Sequence, residues 1–286
     1  MMRRGDGSLV FFTVLSQWSV GIVVCLAGIA VSGSPVPNTG SGPANPVLLA
    51  LLLVVAATTA SFLHLGNPLN APRAMRNIVT SWLSREIFAI GLFTVCLLTA
   101  LVSGRMPGGS DTYPGYLLIA CSLAGLFLVW AMARVYRIPT VPSWDSGFTL
   151  LGFLSTSLCL GLATLLLFDA TGVFSLAGGT RTPLAVLLVA VLLLETGAGF
   201  VNHYRLARMD TGMDGPRFSS GFFSTLLRVR SAMALVACLA LLFVLRLEPF
   251  SAGAALPWLS LAAALVLAQA FAGRVLFFAS YFRLGL

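Results

Sequence analysis

Apolar residues in this chain are gathered into eight long runs, and polar residues are mostly confined to the short segments between them. The runs cover roughly residues 9–31, 47–65, 87–102, 113–135, 148–168, 184–201, 226–245 and 254–278. Each is close to the ~20 residues that a helix needs to cross a bilayer, and none alternates like a barrel strand. Because lipid admits only helices or closed barrels, the pattern predicts an all-α, polytopic integral membrane protein. We expect eight transmembrane helices arranged as two four-helix halves.

The connections between the runs leave no room for a second domain. The longest, from His203 to about Thr225, is rich in Gly, Ser and Arg. We therefore predict a single membrane domain over residues 1–286. The first run follows Arg3 and Arg4 as in a signal peptide, but it is longer than a signal peptide's apolar core and no clear cleavage site follows it. We expect it to remain as a helix.

Charge is distributed very unevenly between the two sides of the predicted bundle. All 17 basic residues are arginine, and the net charge is +8. With eight spans, both termini share one side, which we call face A. Face A receives 14 arginines and the opposite side, face B, receives three, namely Arg105, Arg181 and Arg246. The positive-inside rule would place face A in the cytoplasm. Docking of an acidic partner subunit would also explain an arginine-rich face. Nucleic-acid binding would not, because it would need a soluble basic domain.

Cysteine and histidine counts restrict the cofactors that this protein can bind. The five cysteines lie singly on five different runs, so their spacing fits neither an iron–sulfur nor a zinc site. The only histidines are His64 and His203, so the paired axial histidines of a two-haem anchor cannot be supplied. One haem bridging the two remains conceivable. We expect neither haem nor an iron–sulfur cluster in this chain.

The segment between the second and third runs carries the most distinctive polar residues. His64 closes one predicted span, and Glu86 precedes the next. Oxidation of a quinol releases two electrons and two protons, so a quinol site needs hydrogen-bond partners for both ring oxygens and a proton acceptor. A histidine and a membrane-edge carboxylate suit these roles. Alternatively, His64 ends a helix capped by Gly66, and Glu86 lies in a helix's first turn, where the dipole favours an acid.

Three segments of the chain resemble one family of membrane anchors. The first comprises His64-Leu65-Gly66-x-Pro68, Ala71, Asn77 and Ser81-Trp82-Leu83-Ser84-Arg85-Glu86-Ile87. The others are Trp130-x-Met132-x-Arg134-Val135-Tyr136 with Thr140-Val141-Pro142-Ser143-Trp144, and Gly273-Arg274-x-Leu276-Phe277-Phe278. Together they resemble DmsC, the membrane anchor of dimethyl sulfoxide reductase. One departure is visible, because Gln269 and Ala270 stand where an acidic residue is expected before Gly273.

The resemblance implies a quinol-binding anchor in a three-subunit complex of anaerobic respiration in the inner membrane. Menaquinol or ubiquinol would be oxidised, and electrons would pass to a four-cluster iron–sulfur subunit and then to a molybdopterin catalytic subunit. The family's quinol positions carry over onto His64 and Glu86. The remaining candidates contact either the quinol or a partner subunit: Arg73, Arg76, Trp82, Arg85, Arg134 and Tyr136. This protein alone would not act on the terminal substrate.

Orientation and the role of Glu195 stay open at the level of sequence. The resemblance implies that face A is periplasmic, whereas the arginine count favours the cytoplasm. Glu195 is the only acid well inside a span, where a charged acid costs about 2.5–3.5 kcal/mol. It is expected to bind a neighbouring helix or to serve a proton path.

An alternative function is a secondary transporter with a midplane site at Glu195. Another is the anchor of a related polysulfide or nitrite reductase.

Overall fold

The computed structural model describes residues 6–37, 45–64, 77–103, 112–172, 174–176, 179–209, 221–247 and 252–282. These residues form eight helices and, within the described ranges, no strand beyond one isolated bridge. The helices are α1 Asp6–Val31, α2 Pro46–His64, α3 Trp82–Ser103, α4 Gly115–Tyr136, α5 Gly147–Ala170, α6 Arg181–Met209, α7 Gly221–Arg246 and α8 Ala252–Ala279. Seven are long and apolar enough to cross a membrane, and α2 contributes the shorter apolar stretch Pro46–Phe62. The predicted all-α membrane fold is confirmed.

Several helices extend beyond their apolar runs at face A. Helix α3 begins at Trp82, five residues before the run over 87–102. Ser81 caps this helix, since its hydroxyl accepts a hydrogen bond from the backbone N–H of Ser84 at 3.3 Å. Glu86 therefore lies in the second turn of α3. The alternative that places Glu86 in the first turn is therefore wrong by one turn. The helix starts at the Ser81 cap and not at the first residue of the apolar run.

The eight helices pack as two consecutive groups of four. In the first half, α1 contacts α2 and α4, and α3 lies between α2 and α4. In the second half, α5 contacts α6 and α8, and α7 lies between α6 and α8. Helices α1 and α5 also contact each other and form the centre of the molecule. The predicted arrangement of two four-helix halves is therefore present.

The contact between α1 and α5 depends on two glycines. A Cβ atom placed on Gly21 would lie 1.7 Å from the backbone oxygen of Ser157, and one on Gly161 would lie 2.2 Å from the Gly21 carbonyl. Only glycine fits such a backbone-to-backbone approach, which is typical of helix pairs in membranes. The Trp18 indole N–H adds a bond of 2.7 Å to the Thr164 hydroxyl across the same pair. The two halves are thus joined along a close seam, which we call the α1–α5 seam.

A short backbone pairing joins two connections at face B of the first half. The segment after α1 meets the segment before α4 in the bridge between Pro37 and Thr112. The N–H of Tyr113 donates to the Val36 oxygen at 3.0 Å, and the Asn45 amide donates to the Tyr113 hydroxyl at 2.6 Å. These bonds hold the face-B ends of α1, α2 and α4 together. Of the polar residues that the sequence singles out, Arg85, Glu86 and Arg134 lie at the opposite end.

Candidate functional site

Aromatic and basic side chains of α3 and α4 meet at face A of the first half. The rings of Trp82 and Trp130 make an edge-to-face contact with centroids 4.7 Å apart. Two guanidinium groups lie over Trp82, with the Cζ atoms of Arg85 and Arg134 at 4.1 and 4.8 Å from its centroid. Such contacts stabilise a cation beside an aromatic face. We call Trp82, Arg85, Glu86, Trp130 and Arg134 the α3–α4 cluster.

Glu86 lies one turn after Trp82 and points into the bundle. Its side chain is buried, with the residue only 5% exposed. Within the described ranges, its Oε1 atom has no hydrogen-bond partner, and neither does the buried Nε of Arg134. An unpaired buried oxygen or N–H costs about 1–3 kcal/mol, so such groups are usually satisfied by a partner or ligand. The α3–α4 cluster therefore offers one buried acceptor and one buried donor.

The remaining predicted residues of the first half are placed differently. Helix α2 ends at His64, whose side chain lies outside the described residues, as do Arg73 and Arg76. Because α2 and α3 contact each other and the end of α2 and the start of α3 share face A, the backbone of His64 is on the same side as Glu86. Arg85 donates through Nε to the Ile78 oxygen at 2.9 Å and thereby supports the turn before α3.

Tyr136, a candidate for quinol or subunit contact, lies in an aromatic core at face A. Its ring makes edge-to-face contacts with Trp144, Phe153, Phe277 and Phe278 at centroid distances of 5.4 to 5.9 Å. The residue is 8% exposed. Tyr136 therefore packs between the two halves.

A second polar cluster is buried in the second half around Glu195. The Glu195 carboxylate accepts a bond of 2.6 Å from Arg230 and a bond of 2.9 Å from the Thr156 hydroxyl. Its second oxygen accepts from the Gln269 amide at 3.2 Å, and Gln269 in turn accepts from Arg230 Nε at 3.1 Å. We call these four residues the Glu195 cluster. The expected bond from Glu195 to a neighbouring helix is present, and it connects four helices.

The sequence does not reveal Arg230 as the partner of Glu195. Gln269, the third member of the cluster, is visible in the sequence as a departure from the family pattern. Gly273 makes the pair possible, because a Cβ atom there would lie 2.9 Å from the Arg230 guanidinium. Arg274, one of the 14 arginines that the apolar runs assign to face A, is only 4% exposed and donates to Gln17 of α1. The signal that could have identified both arginines is their distance from the helix ends, several residues inside α7 and α8.

A cavity of about 130 Å³ opens beside the Glu195 cluster at face A of the second half. Its walls include Glu195, Asn202, His203, Arg230 and Arg274 together with several Phe and Leu side chains. His203, the second histidine of the chain, is thus placed at a cavity. In the described part of the chain, no three His, Cys, Asp or Glu residues are grouped as metal ligands would be.

Comparison with known proteins gives a match over nearly the whole chain. Residues 3–280 match the family described as DMSO reductase anchor subunit (DmsC). The protein is 31% identical over 286 residues to the anaerobic dimethyl sulfoxide reductase chain YnfH of Escherichia coli, covering 97% of this chain and 95% of that protein. It is 30% identical over 191 residues to another anaerobic dimethyl sulfoxide reductase chain of the same organism, covering 64% of each of the two.

A more distant similarity is confined to a short segment. One subunit of the sulfite dehydrogenase of Allochromatium vinosum is 54% identical over 43 residues, which are 15% of this chain and 13% of that protein. The match is too short to indicate a shared role for the whole molecule.

Proposed function

Since this chain belongs to the family of DMSO reductase anchor subunits, we propose that it binds and oxidises a quinol at the α3–α4 cluster. Its membership makes it a membrane anchor in a multi-subunit reductase. The quinol, menaquinol or ubiquinol, would give its two electrons to a four-cluster iron–sulfur subunit docked on face A. That subunit would pass them to a molybdopterin catalytic subunit. The two protons would go to groups of this chain.

The observation that carries the proposal is the buried carboxyl oxygen of Glu86, which has no hydrogen-bond partner among the described residues. A quinol hydroxyl is a donor of the right kind for this oxygen, and a carboxylate can then take its proton as the electrons leave. Nothing in the packing of α3 requires an acid there. A leucine would bury more apolar area at no desolvation cost. The acid is therefore better explained by a bound donor than by stability.

Other groups of the same end complete the proposed site. Arg134 Nε is a donor for the second ring oxygen, and the contact between the Trp82 ring and the Arg134 guanidinium positions this donor. His64, at the face-A end of α2, is proposed as the second proton acceptor because an imidazole exchanges protons near neutral pH. A quinol head group lies at the level of the membrane interface while its isoprenoid tail remains in lipid, which agrees with a site near helix ends.

The test compares Glu86→Gln with Asp145→Asn in the assembled complex. Glutamine keeps the size of Glu86 but cannot take a proton, so quinol-driven reduction should fall at least about tenfold while activity with a soluble artificial donor is unchanged. A fluorescent quinol-analogue inhibitor should bind about tenfold or more weakly, as expected for a lost charge-assisted bond of about 1.5–3 kcal/mol.

Asp145→Asn is the matched control, because Asp145 is a partly exposed face-A acid that pairs with Arg137 at 3.3 Å. It should leave both activities intact. His64→Ala should behave like Glu86→Gln. Normal quinol turnover and inhibitor affinity in a well-assembled Glu86→Gln complex would refute the proposed site. A parallel loss of assembly and of all activities would instead indicate a structural role.

A further inference from the structure

Arg274 is a buried cation whose charge the described contacts do not balance. The residue is 4% exposed, its Nη2 atom donates to Gln17, and its Cζ atom lies 3.8 Å from the centre of the Phe153 ring. Its Nε atom has no hydrogen-bond partner among the described residues, and no described carboxylate forms an ion pair with it. Burying a guanidinium inside a membrane protein is costly unless it is paired.

Glu195 cannot fully balance this charge, because it is already engaged. Its two oxygens accept from Arg230, Thr156 and Gln269. Among the described groups around the cavity, two guanidinium groups, Arg230 and Arg274, therefore stand against one carboxylate. The cavity is electropositive on that account, and a ligand that neutralises it must bring negative charge.

The cavity has donors and space for such a ligand. The hydroxyl of Ser143 is buried and also lacks a partner in the described ranges, and Ser143, Asn202 and His203 line the cavity together with Arg274. A volume of about 130 Å³ is close to the ~150 Å³ that accommodates a benzene ring in a protein core. A tetrahedral oxyanion therefore fits, whereas a large folded partner segment does not.

We propose that this cavity binds the phosphate group of an anionic phospholipid, with Arg274 and Ser143 as the donors that receive it. The cavity extends to the face-A end of the second half, where Ser143, Asn202 and His203 line it. Large apolar side chains of α6 and α7 are exposed nearby, such as Phe200 at 47% and Phe222 at 56%, as expected for a lipid-facing surface. Basic pockets between membrane helices bind anionic head groups.

Thermal unfolding of the full chain in neutral detergent tests the proposal with three probes: phosphatidylglycerol, phosphatidylcholine and inorganic phosphate. Phosphatidylglycerol should raise the unfolding midpoint of the wild-type protein by a few degrees, because a ligand that binds only the folded state stabilises it. Phosphatidylcholine, which is net neutral, should not do so. If inorganic phosphate also raises the midpoint, the site accepts the free ion. If inorganic phosphate has no effect, the bound phosphate group must belong to a lipid.

Variants locate the effect. Arg274→Gln should weaken the apparent affinity for phosphatidylglycerol at least about tenfold, while Arg228→Gln removes the same charge from an exposed position of α7 and should not change it. If Arg274→Gln fails to fold, Ser143→Ala should still weaken binding about two- to tenfold. Equal stabilisation by both lipids, no stabilisation by either, or equal losses in the Arg274 and Arg228 variants would overturn the proposal.

Discussion

The ion pair between Glu195 and Arg230 distinguishes two roles for an acid inside the membrane. Arg230 has 15% of its side chain exposed and Glu195 has 4%. When one member of such a buried pair is removed, the other is left as an uncompensated charge, which costs about 3–5 kcal/mol. A structural role therefore predicts a loss of stability, whereas a proton path predicts a loss of turnover in a stable protein.

We expect Glu195→Gln and Arg230→Gln each to lower the unfolding midpoint strongly, and the double variant to be less destabilised than the sum of the two. The reason is that the double variant leaves no unpaired charge. The measurement is a double-mutant cycle from thermal unfolding in detergent. The exposed pair of Arg137 and Asp145 is the control, with an expected coupling of about 0–1 kcal/mol. Strictly additive losses, or a stable but inactive Glu195→Gln complex, would contradict the structural role.

Some of this site could be predicted from the sequence, and some could not. The burial of Glu195 follows from its position inside an apolar run, and Gln269 stands out because it departs from the family pattern. The sequence assigns Arg230 to the charge of face A, because a hydropathy profile treats every arginine near a span end alike. The pair joins residues 35 positions apart on different helices, and no local pattern encodes that contact.

At the level of helices, the fold class was predictable, whereas the helix boundaries and contacts were less so. Eight long apolar runs have no other stable form in lipid than helices, so the number and type of elements followed directly. The start of α3 did not, because Ser81 caps the helix inside a polar segment. The α1–α5 seam is equally hidden, since nothing in the sequence separates Gly21 and Gly161 from glycines such as Gly28, where a Cβ atom would meet no described atom within 4 Å.

The α1–α5 seam makes a prediction about single glycines on one helix. Gly21→Ala should destabilise the protein by about 1–3 kcal/mol or more, since the added methyl must push α5 away. Gly28→Ala is the matched control, because Gly28 lies seven residues further along α1 and a Cβ atom there would meet no described atom within 4 Å. Alanine there should be neutral or stabilising by up to about 1 kcal/mol. Equal unfolding midpoints for the two variants would contradict the seam.

At the level of the whole molecule, burial of two arginines reduces the difference in charge between face A and face B. Arg230 binds Glu195 and Arg274 binds Gln17 of α1, and both of these partners are buried, so the two arginines do not contribute to the charge of face A. Twelve arginines then remain on face A against three on face B. The asymmetry is still large, and the positive-inside rule still favours a cytoplasmic face A.

A reporter fused after Leu286 tests this orientation. A fluorescent protein that matures only in the cytoplasm should give signal, because both termini share face A and topology follows arginines in short loops. A periplasmic phosphatase fused at the same point should be inactive. The opposite pair of results would place face A in the periplasm and would assign its arginines to the docking of a partner subunit, with Arg73 and Arg76 as the first candidates.

The α1–α5 seam also has a mechanical consequence. Alternating-access transporters work by rocking one repeat against the other around a central site. Here the two halves meet backbone to backbone at Gly21 and Gly161, so at this point of the seam no side chains lie between the helices that could slide or repack. Such a seam suits a rigid membrane anchor better than a transporter whose halves move against each other. If a quinol binds to one half, as proposed, its distance to a partner subunit that contacts both halves would therefore stay constant.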